Sequence, residues 1–191
     1  ALLTPQREQH RLRLPKSPTL RRRQILDKLV VCSNVGYQKA ASIIDSCTYI
    51  IGGTGRVKNV IDKNGTHILS PRLTDGGLSV TDMGSKTLYD RRTVPVDGDG
   101  QYLPTSGLRQ GPAVLMVEQD AVEFVLRGRN VFHGFIVACD PWLKAGQTCF
   151  IVDEQGTLIG HGLAQCDADE AIRFKKGIAV RTRSDFSKTS K

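Results

Sequence analysis

Residues 127–134 read RGRNVFHG, so two guanidinium groups, an asparagine amide and an imidazole fall within one short stretch, with a glycine between the arginines. A guanidinium hydrogen-bonds phosphate oxygens in bidentate fashion, a glycine lets backbone approach backbone, and an asparagine can serve a sugar hydroxyl or a base edge. The chemistry on offer is recognition of a polyanion, and the stretch reads as a docking edge for RNA. Elsewhere no set of side chains has the spacing of an active site. The GTGR at 53–56 is too short for a phosphate loop and lacks the lysine and hydroxyl that a P-loop needs. Asp97, Asp99, Asp153, Glu154, Asp167, Asp169 and Glu170 come in loop pairs of the kind that form turns and caps. His10, His67, His133 and His161 are scattered, as are Cys32, Cys47, Cys139, Cys149 and Cys166, with no CxxC pair. That spacing argues against a zinc site and against a disulfide framework. No catalytic residue, metal or cofactor is expected, and the thiols point to a reducing compartment.

The charge is unevenly placed. Of a formal net +8, residues 1–24 carry +6 and residues 173–191 another +6, which leaves −4 on the 148 residues between. Cationic ends on an acidic body attract polyanions through counterion release, so nucleic acid is the first partner to expect. The opening segment holds Arg7, Arg11, Arg13, Lys16, Arg21, Arg22 and Arg23 with three prolines. Proline breaks a long helix, so residues 1–24 read as an extended basic arm. Their Arg-rich, acid-poor composition is also that of organellar transit peptides, which makes the mitochondrial matrix a candidate location beside the cytoplasm. Apolar runs such as VVC and FIVAC are far too short to span a bilayer, so no membrane partner is expected.

The elements that would carry these groups are short. Residues 25–53 mix a first strand or helix, a turn at 33–36 and a helix over 38–46, with Gly52 and Gly53 closing the segment. From Arg56 the texture turns to consecutive antiparallel strands, with DKNG and TDGG as turns. DMGSKTLYD follows as a helical turn or two. Residues 95–112 are dense in Gly, Pro and Asp and mark a boundary. Beyond it, AVLMV is a strand, and EQDAVEFVLRG places Ala121, Phe124 and Val125 at helical spacing with Gly128 as C-terminal cap. NVFHGFIVAC reads as one strand and DPWLKAG as a turn. Two strands then flank DEQG, a helix capped by Asp167 runs to Gly177, and IAVRTR is a last strand. Links this short argue against a parallel sheet. The expected fold is α+β: a small α+β domain at 25–108, a mixed β-barrel with short helices at 112–183 and a tail at 184–191.

Three stretches of the second unit carry a family likeness: VEQDAVEFVLRGRNVF, DPWLKAGQTCFIVDEQGTLIGHG and DEAIRFKKGIAVRTR. With them, residues 112–183 resemble the PUA domain, the RNA-binding module of pseudouridine synthases and archaeosine transglycosylases. GRVKNVIDKNGTHILSPRLTDGGLSVTDMGSKTL is similar to the pre-PUA domain that precedes it in archaeal tRNA-guanine transglycosylases. The barrel of those enzymes, with its zinc site and aspartate pair, has no counterpart in these 191 residues, so the resemblance implies RNA handling without their chemistry.

The resemblance also implies where RNA lies: along the turn after the first helix, the adjoining strand and part of the last strand. Those positions are Arg127, Gly128, Arg129, Asn130, Val131, Phe132 and His133, with Lys175, Lys176, Gly177, Arg181 and Arg183 beside them. Several have a packing role that competes. Gly128 is needed as a helix cap in any case, Val131, Phe132 and Phe135 read as core, His133 can serve its own strand, and Lys175 and Lys176 suit a helix C-terminus. Arg127 and Arg129 have the strongest claim, since exposed arginines add little to stability. The expected function is a non-catalytic RNA-binding protein of a ribonucleoprotein, a ribosomal or ribosome-assembly component that holds structured rRNA beside other proteins. The alternatives are a tRNA-binding targeting subunit for an RNA-modifying, transglycosylase-like enzyme, and a PUA-type translation factor.

Overall fold

The computed structural model describes residues 18–33, 35–89 and 112–188. Its first unit begins with two helices, α1 (Pro18–Ser33) and α2 (Tyr37–Asp45), and continues as a four-stranded antiparallel meander. The strands are β1 (Thr48–Ile51), β2 (Val57–Ile61), β3 (His67–Pro71) and β4 (Leu78–Val80), followed by α3 (Asp82–Leu88). Pro18 can start a helix because its missing N–H has no partner to lose there. Ile25, Leu26 and Leu29 bury one face of α1. Residues 18–24, expected as part of an extended arm, are therefore helical, and Arg22 Nε donates to Asp45 Oδ1 at 2.7 Å. Apolar spacing from Ile25 onward carries the helix back through the arginines. Arg7, Arg11, Arg13 and Lys16 lie outside the described residues, as do Asp97, Asp99 and most of the expected boundary. The residues before Gly52 and Gly53 form β1, a strand that the sequence reading did not contain.

α3 closes the first unit by pressing on β3. Thr81 Oγ1 accepts from the Gly84 N–H at 3.1 Å and caps the helix. A Cβ on Gly84 would stand 2.0 Å from the Ile68 carbonyl oxygen, so glycine is what lets the helix approach the strand.

The second unit runs β5 (Ala113–Val117), α4 (Gln119–Leu126), β6 (Val131–Phe132), a 3-10 turn (His133–Phe135) and β7 (Ile136–Cys139). β8 (Thr148–Val152), β9 (Leu158–Ala164), α5 (Ala168–Arg173), β10 (Ile178–Thr182) and a final 3-10 turn (Phe186–Lys188) complete it. The sheet order is β6-β10-β9-β8-β5-β7. Its outer strands, β6 and β7, are joined directly by the 3-10 turn, so the sheet curls into a half-barrel. NVFHGFIVAC is thus two short strands at opposite edges of the sheet, not one. β5 and β8 pair in parallel, Val114 with Phe150 and Met116 with Val152. A single parallel pair is possible because α4, β6 and β7 all lie between them in sequence, which supplies the long crossover that short links alone could not.

That pair faces two ways. Ala113, Leu115, Val117, Cys149 and Ile151 point into the barrel core. Val114, Met116, Phe150 and Val152 point outward, into the same cluster as Ile25, Leu29, Val60 and Leu69 of the first unit. The barrel keeps a core of its own, and the outward set joins the first unit in a second, shared cluster. Tyr89 stacks edge-on against Phe150 at 5.9 Å and donates its hydroxyl to the Gly156 carbonyl.

A second tie is polar. His161 on β9 is buried, and its Nε2 lies 3.0 Å from Asp82 Oδ1 on α3, while Asp82 Oδ2 accepts from the Asp185 N–H at 3.4 Å. The Ser184 hydroxyl accepts from the His161 N–H at 2.9 Å. Burial lowers the His161 pKa, and the Asp82 carboxylate only partly offsets this.

Two outcomes follow from these contacts. Gly84→Ala should destabilise the chain by about 3 kcal/mol in chemical denaturation, because the clash is with backbone that cannot rotate away. For His161, the folded chain resists a proton that the unfolded chain accepts near its ordinary value of 6.5. Its contribution to stability is therefore present above that pH and is lost as pH falls below it. Melting temperature should drop between about pH 7 and 5, and His161→Asn should flatten that part of the profile.

Candidate nucleic-acid interface

The end of α4 sets the geometry of the predicted edge. Gly128 has φ 78°, its N–H donates to the Val125 carbonyl at 2.9 Å, and the Arg129 N–H donates to the Phe124 carbonyl at 3.0 Å. This pair of bonds is a Schellman cap, which needs a residue without Cβ. Gly128 is explained by that cap alone. The cap also fixes where its neighbours go, because Arg127 and Arg129 leave a rigid turn on either side of it. Arg127 makes only a loose 3.5 Å pair with Glu123, with both side chains exposed. Arg129 has no ion pair among the described residues. Neither guanidinium is locked to a carboxylate.

The next residues divide sharply. Asn130 is exposed and its Oδ1 accepts from the Thr182 N–H at 3.2 Å, which ties the turn to β10. Val131 is 1% exposed and belongs to the barrel core, so its side chain offers a ligand almost no surface. His133 is also buried; its Nδ1 lies 3.3 Å from the Ala171 carbonyl and its ring stacks on Phe174 at 5.4 Å. Both drop out as direct contacts, since the 3-10 turn rotates His133 inward beneath α5. Phe132, by contrast, is 46% exposed, Phe135 37% and Phe124 59%. The core role expected for Phe132 and Phe135 does not hold, and on α4 Phe124 stays outside because Ala121 and Val125 already fill the buried face. The three rings, with Arg129 and Asn130 at the rim, line a groove of about 390 Å³.

β10 lies beside β6, with Ile178 opposite Phe132 in register. α5 stops at Arg173, stabilised at its start by a capping box between Asp167 and Glu170. Lys175, Lys176 and Gly177 therefore lie in the loop into β10, beyond the helix dipole, and all are exposed. Arg181 is exposed on β10 and Arg183 just beyond it. What the sequence reading missed were Phe124 and Phe135. For Phe124 the signal was an aromatic between Glu123 and Val125, one residue off the buried stripe of Ala121 and Val125.

The cysteines and histidines stay dispersed among the described residues. No group of three or more His, Cys, Asp or Glu side chains there could hold a metal ion. Burial pushes the Cys139 and Cys149 thiols up to about 12 and Cys166 to about 11, so they are poor nucleophiles. No described helix is long and apolar enough to cross a membrane.

With this geometry in hand, a family model described as PUA domain matches residues 113–186. Those residues are a PUA domain. Its presence in the chain suggests RNA binding. The tRNA-guanine(15) transglycosylase of Methanocaldococcus jannaschii is 30% identical over 130 residues, 68% of this chain and 17% of that protein. The alignment is longer than the PUA domain and only five residues follow position 186, so it extends into the sequence before the barrel. The chain spans less than a fifth of the length of that relative. Two solved structures share the fold of both units. A hypothetical protein of Pyrococcus horikoshii superposes with a TM-score of 0.59 at 18% identity, covering 86% of this chain and 89% of that one. A PUA-domain structure from Aeropyrum pernix does so with 0.51 at 16%, covering 89% and 83%.

The cap is separable from recognition. Gly128→Ala should lower stability by about 1 kcal/mol in denaturant titrations, since alanine must enter a left-handed conformation beside the Ser184 carbonyl. Any loss of RNA affinity in this variant should track the loss of folded protein.

Proposed function

We propose that this chain is a non-catalytic RNA-binding protein that works inside a ribonucleoprotein, with the PUA barrel gripping RNA at the edge formed by α4, β6 and β10. The observation that carries the reading is the groove of Phe124, Phe132 and Phe135 with Arg129 at its rim, a cation that has no ion pair among the described residues. Exposed aromatic rings in one patch are costly for a solvated surface and suit a partner with flat apolar faces. Nucleic acid bases offer those faces, and the arginines and lysines around them suit the attached phosphates. A fully paired A-form helix buries its base faces, so unpaired nucleotides beside a structured stem fit the groove better.

The sequence reading leaves three settings: rRNA in a ribosomal particle, tRNA presented to a modifying enzyme, and a PUA-type translation factor. The relatives favour the second. They are named tRNA-guanine(15) transglycosylases, and the shared segment is a small part of their length, as expected for an RNA-holding portion separate from catalysis. The reading for this chain is therefore that the RNA held at the barrel edge is a tRNA.

Fluorescence anisotropy with a tRNA transcript, an rRNA fragment of equal length and a duplex DNA tests this. The tRNA should bind tightest. Arg127→Ala with Arg129→Ala should lower the slope of log affinity against log salt by about two, the ions released by two phosphate contacts. Phe132→Ala should instead weaken binding by about 1–3 kcal/mol without changing that slope. Equal affinity for all three nucleic acids, or an unchanged slope in the double variant, would remove this edge from the interface.

A further inference from the structure

The cations of β10 continue past the edge just described. Arg181 pairs with Leu163 of β9, and Arg183 follows two residues later, so both side chains leave an extended chain on the same side. Leu163 and Arg183 line a different groove, a cleft of about 460 Å³ between the barrel and the first unit. Its opposite wall is Arg72, Thr74 and Ser79, at and around β4.

The cleft is held from both sides. Arg72 Nε donates to Asp75 Oδ1 at 3.0 Å, its Nη2 lies 2.8 Å from Asp75 Oδ2, and its Nη1 donates to the Leu78 carbonyl at 3.2 Å. These bonds, and the Gly77 N–H, keep the Asp75 carboxyl below its usual range, so Asp75 stays ionised and cancels the Arg72 charge. The surplus charge in the cleft is Arg183, which has no ion pair among the described residues. The hydroxyls of Ser79 and Thr74 make no hydrogen bond among those residues either. His161, neutral and tied to Asp82, also lines the cleft and links its two walls.

One surplus cation and two open hydroxyls are too little for a compact polyanion such as a nucleoside triphosphate. They match one phosphate and the adjoining sugar of a longer chain whose other charges are neutralised elsewhere. Arg129, Lys175, Lys176 and Arg181 are placed to do that, and from Ile178 to Arg183 the strand advances about 17 Å toward the cleft. The geometry points to a second RNA contact: the strand gripped at the barrel edge crosses the outer face of β10 and enters the cleft between the units. There Arg183 meets a phosphate, and Ser79 and Thr74 meet a ribose hydroxyl. This rests on the RNA-binding reading above and gives the first unit a share in the interface.

The test uses the full chain and a fluorescent hairpin RNA in three forms: blunt, with a long single-stranded 3′ extension, and with a long 5′ extension. Arg183→Ala removes the cleft cation, and Ser79→Glu adds a repelling charge at an exposed strand position. Thermal melts confirm that both variants fold. For at least one extended RNA, both should weaken binding about fivefold, and Arg183→Ala should lower the salt slope by about 0.7, while the blunt hairpin is unaffected. Equal weakening on the blunt hairpin would mean general electrostatics and would overturn the second contact. So would wild-type affinity of both variants for every RNA. If Arg127→Ala with Arg129→Ala still abolishes binding in that case, the barrel edge stands without the cleft. Failure of the wild-type chain to bind any of these RNAs would sink both.

Discussion

The parallel contact between β5 and β8 is the constraint on which the other features depend. Side chains alternate across a strand, so each of these strands sends one set of apolar residues into the barrel and the other set outward. Because Val114 faces Phe150 and Met116 faces Val152, the outward set forms a continuous apolar face. The first unit buries that face against Leu29, Val60 and Leu69. A slip of one residue would exchange the two sets and disrupt both clusters at once. The junction between the units is therefore specified by packing rather than by a flexible linker. The cleft beside it, with buried His161 held by half-buried Asp82, inherits that definition.

At the barrel edge the same division of labour appears on a smaller scale. Val131 and His133 face inward and hold β6 and the 3-10 turn against the core and α5. Phe132 and Phe135, their immediate neighbours, face outward. Gly128 contributes the left-handed residue that ends α4 and so aims the two arginines. A rigid cap next to exposed, at most loosely paired cations is a favourable arrangement for binding, because little conformational freedom of the backbone remains to be lost when a ligand arrives. Asn130 adds to this by bridging to Thr182, which makes the turn and the last strand move as one.

Much of the fold was legible along the chain because its signals are local. The turns at DKNG and TDGG, the helix over EQDAVEFVL, the cap at Gly128 and the capping box at Asp167 each depend on a few consecutive residues. Less legible were the features in which one segment meets another. NVFHGFIVAC has the composition of one strand, but its two halves pair with β10 and β5 at opposite edges of a curled sheet. Residues 18–24 look like a charged arm until Arg22 meets Asp45 and α1 packs on the sheet. Phe124 sits at a helical position that could equally be core, and only the filling of that face by Ala121 and Val125 turns it outward.

By itself, the sequence determined the class of fold, the cationic ends and the stretch where arginines flank a helix cap, since charge, turn chemistry and hydrophobic period are properties of neighbours in the chain. Tertiary structure alone decided which members of that stretch face solvent, which rings form the groove and that Arg183 belongs to a cleft shared with the first unit. The reason is that exposure is settled by what packs on the other side. That partner lies in most cases far away in sequence, as Asp82 does for His161 and Ser79 for Arg183.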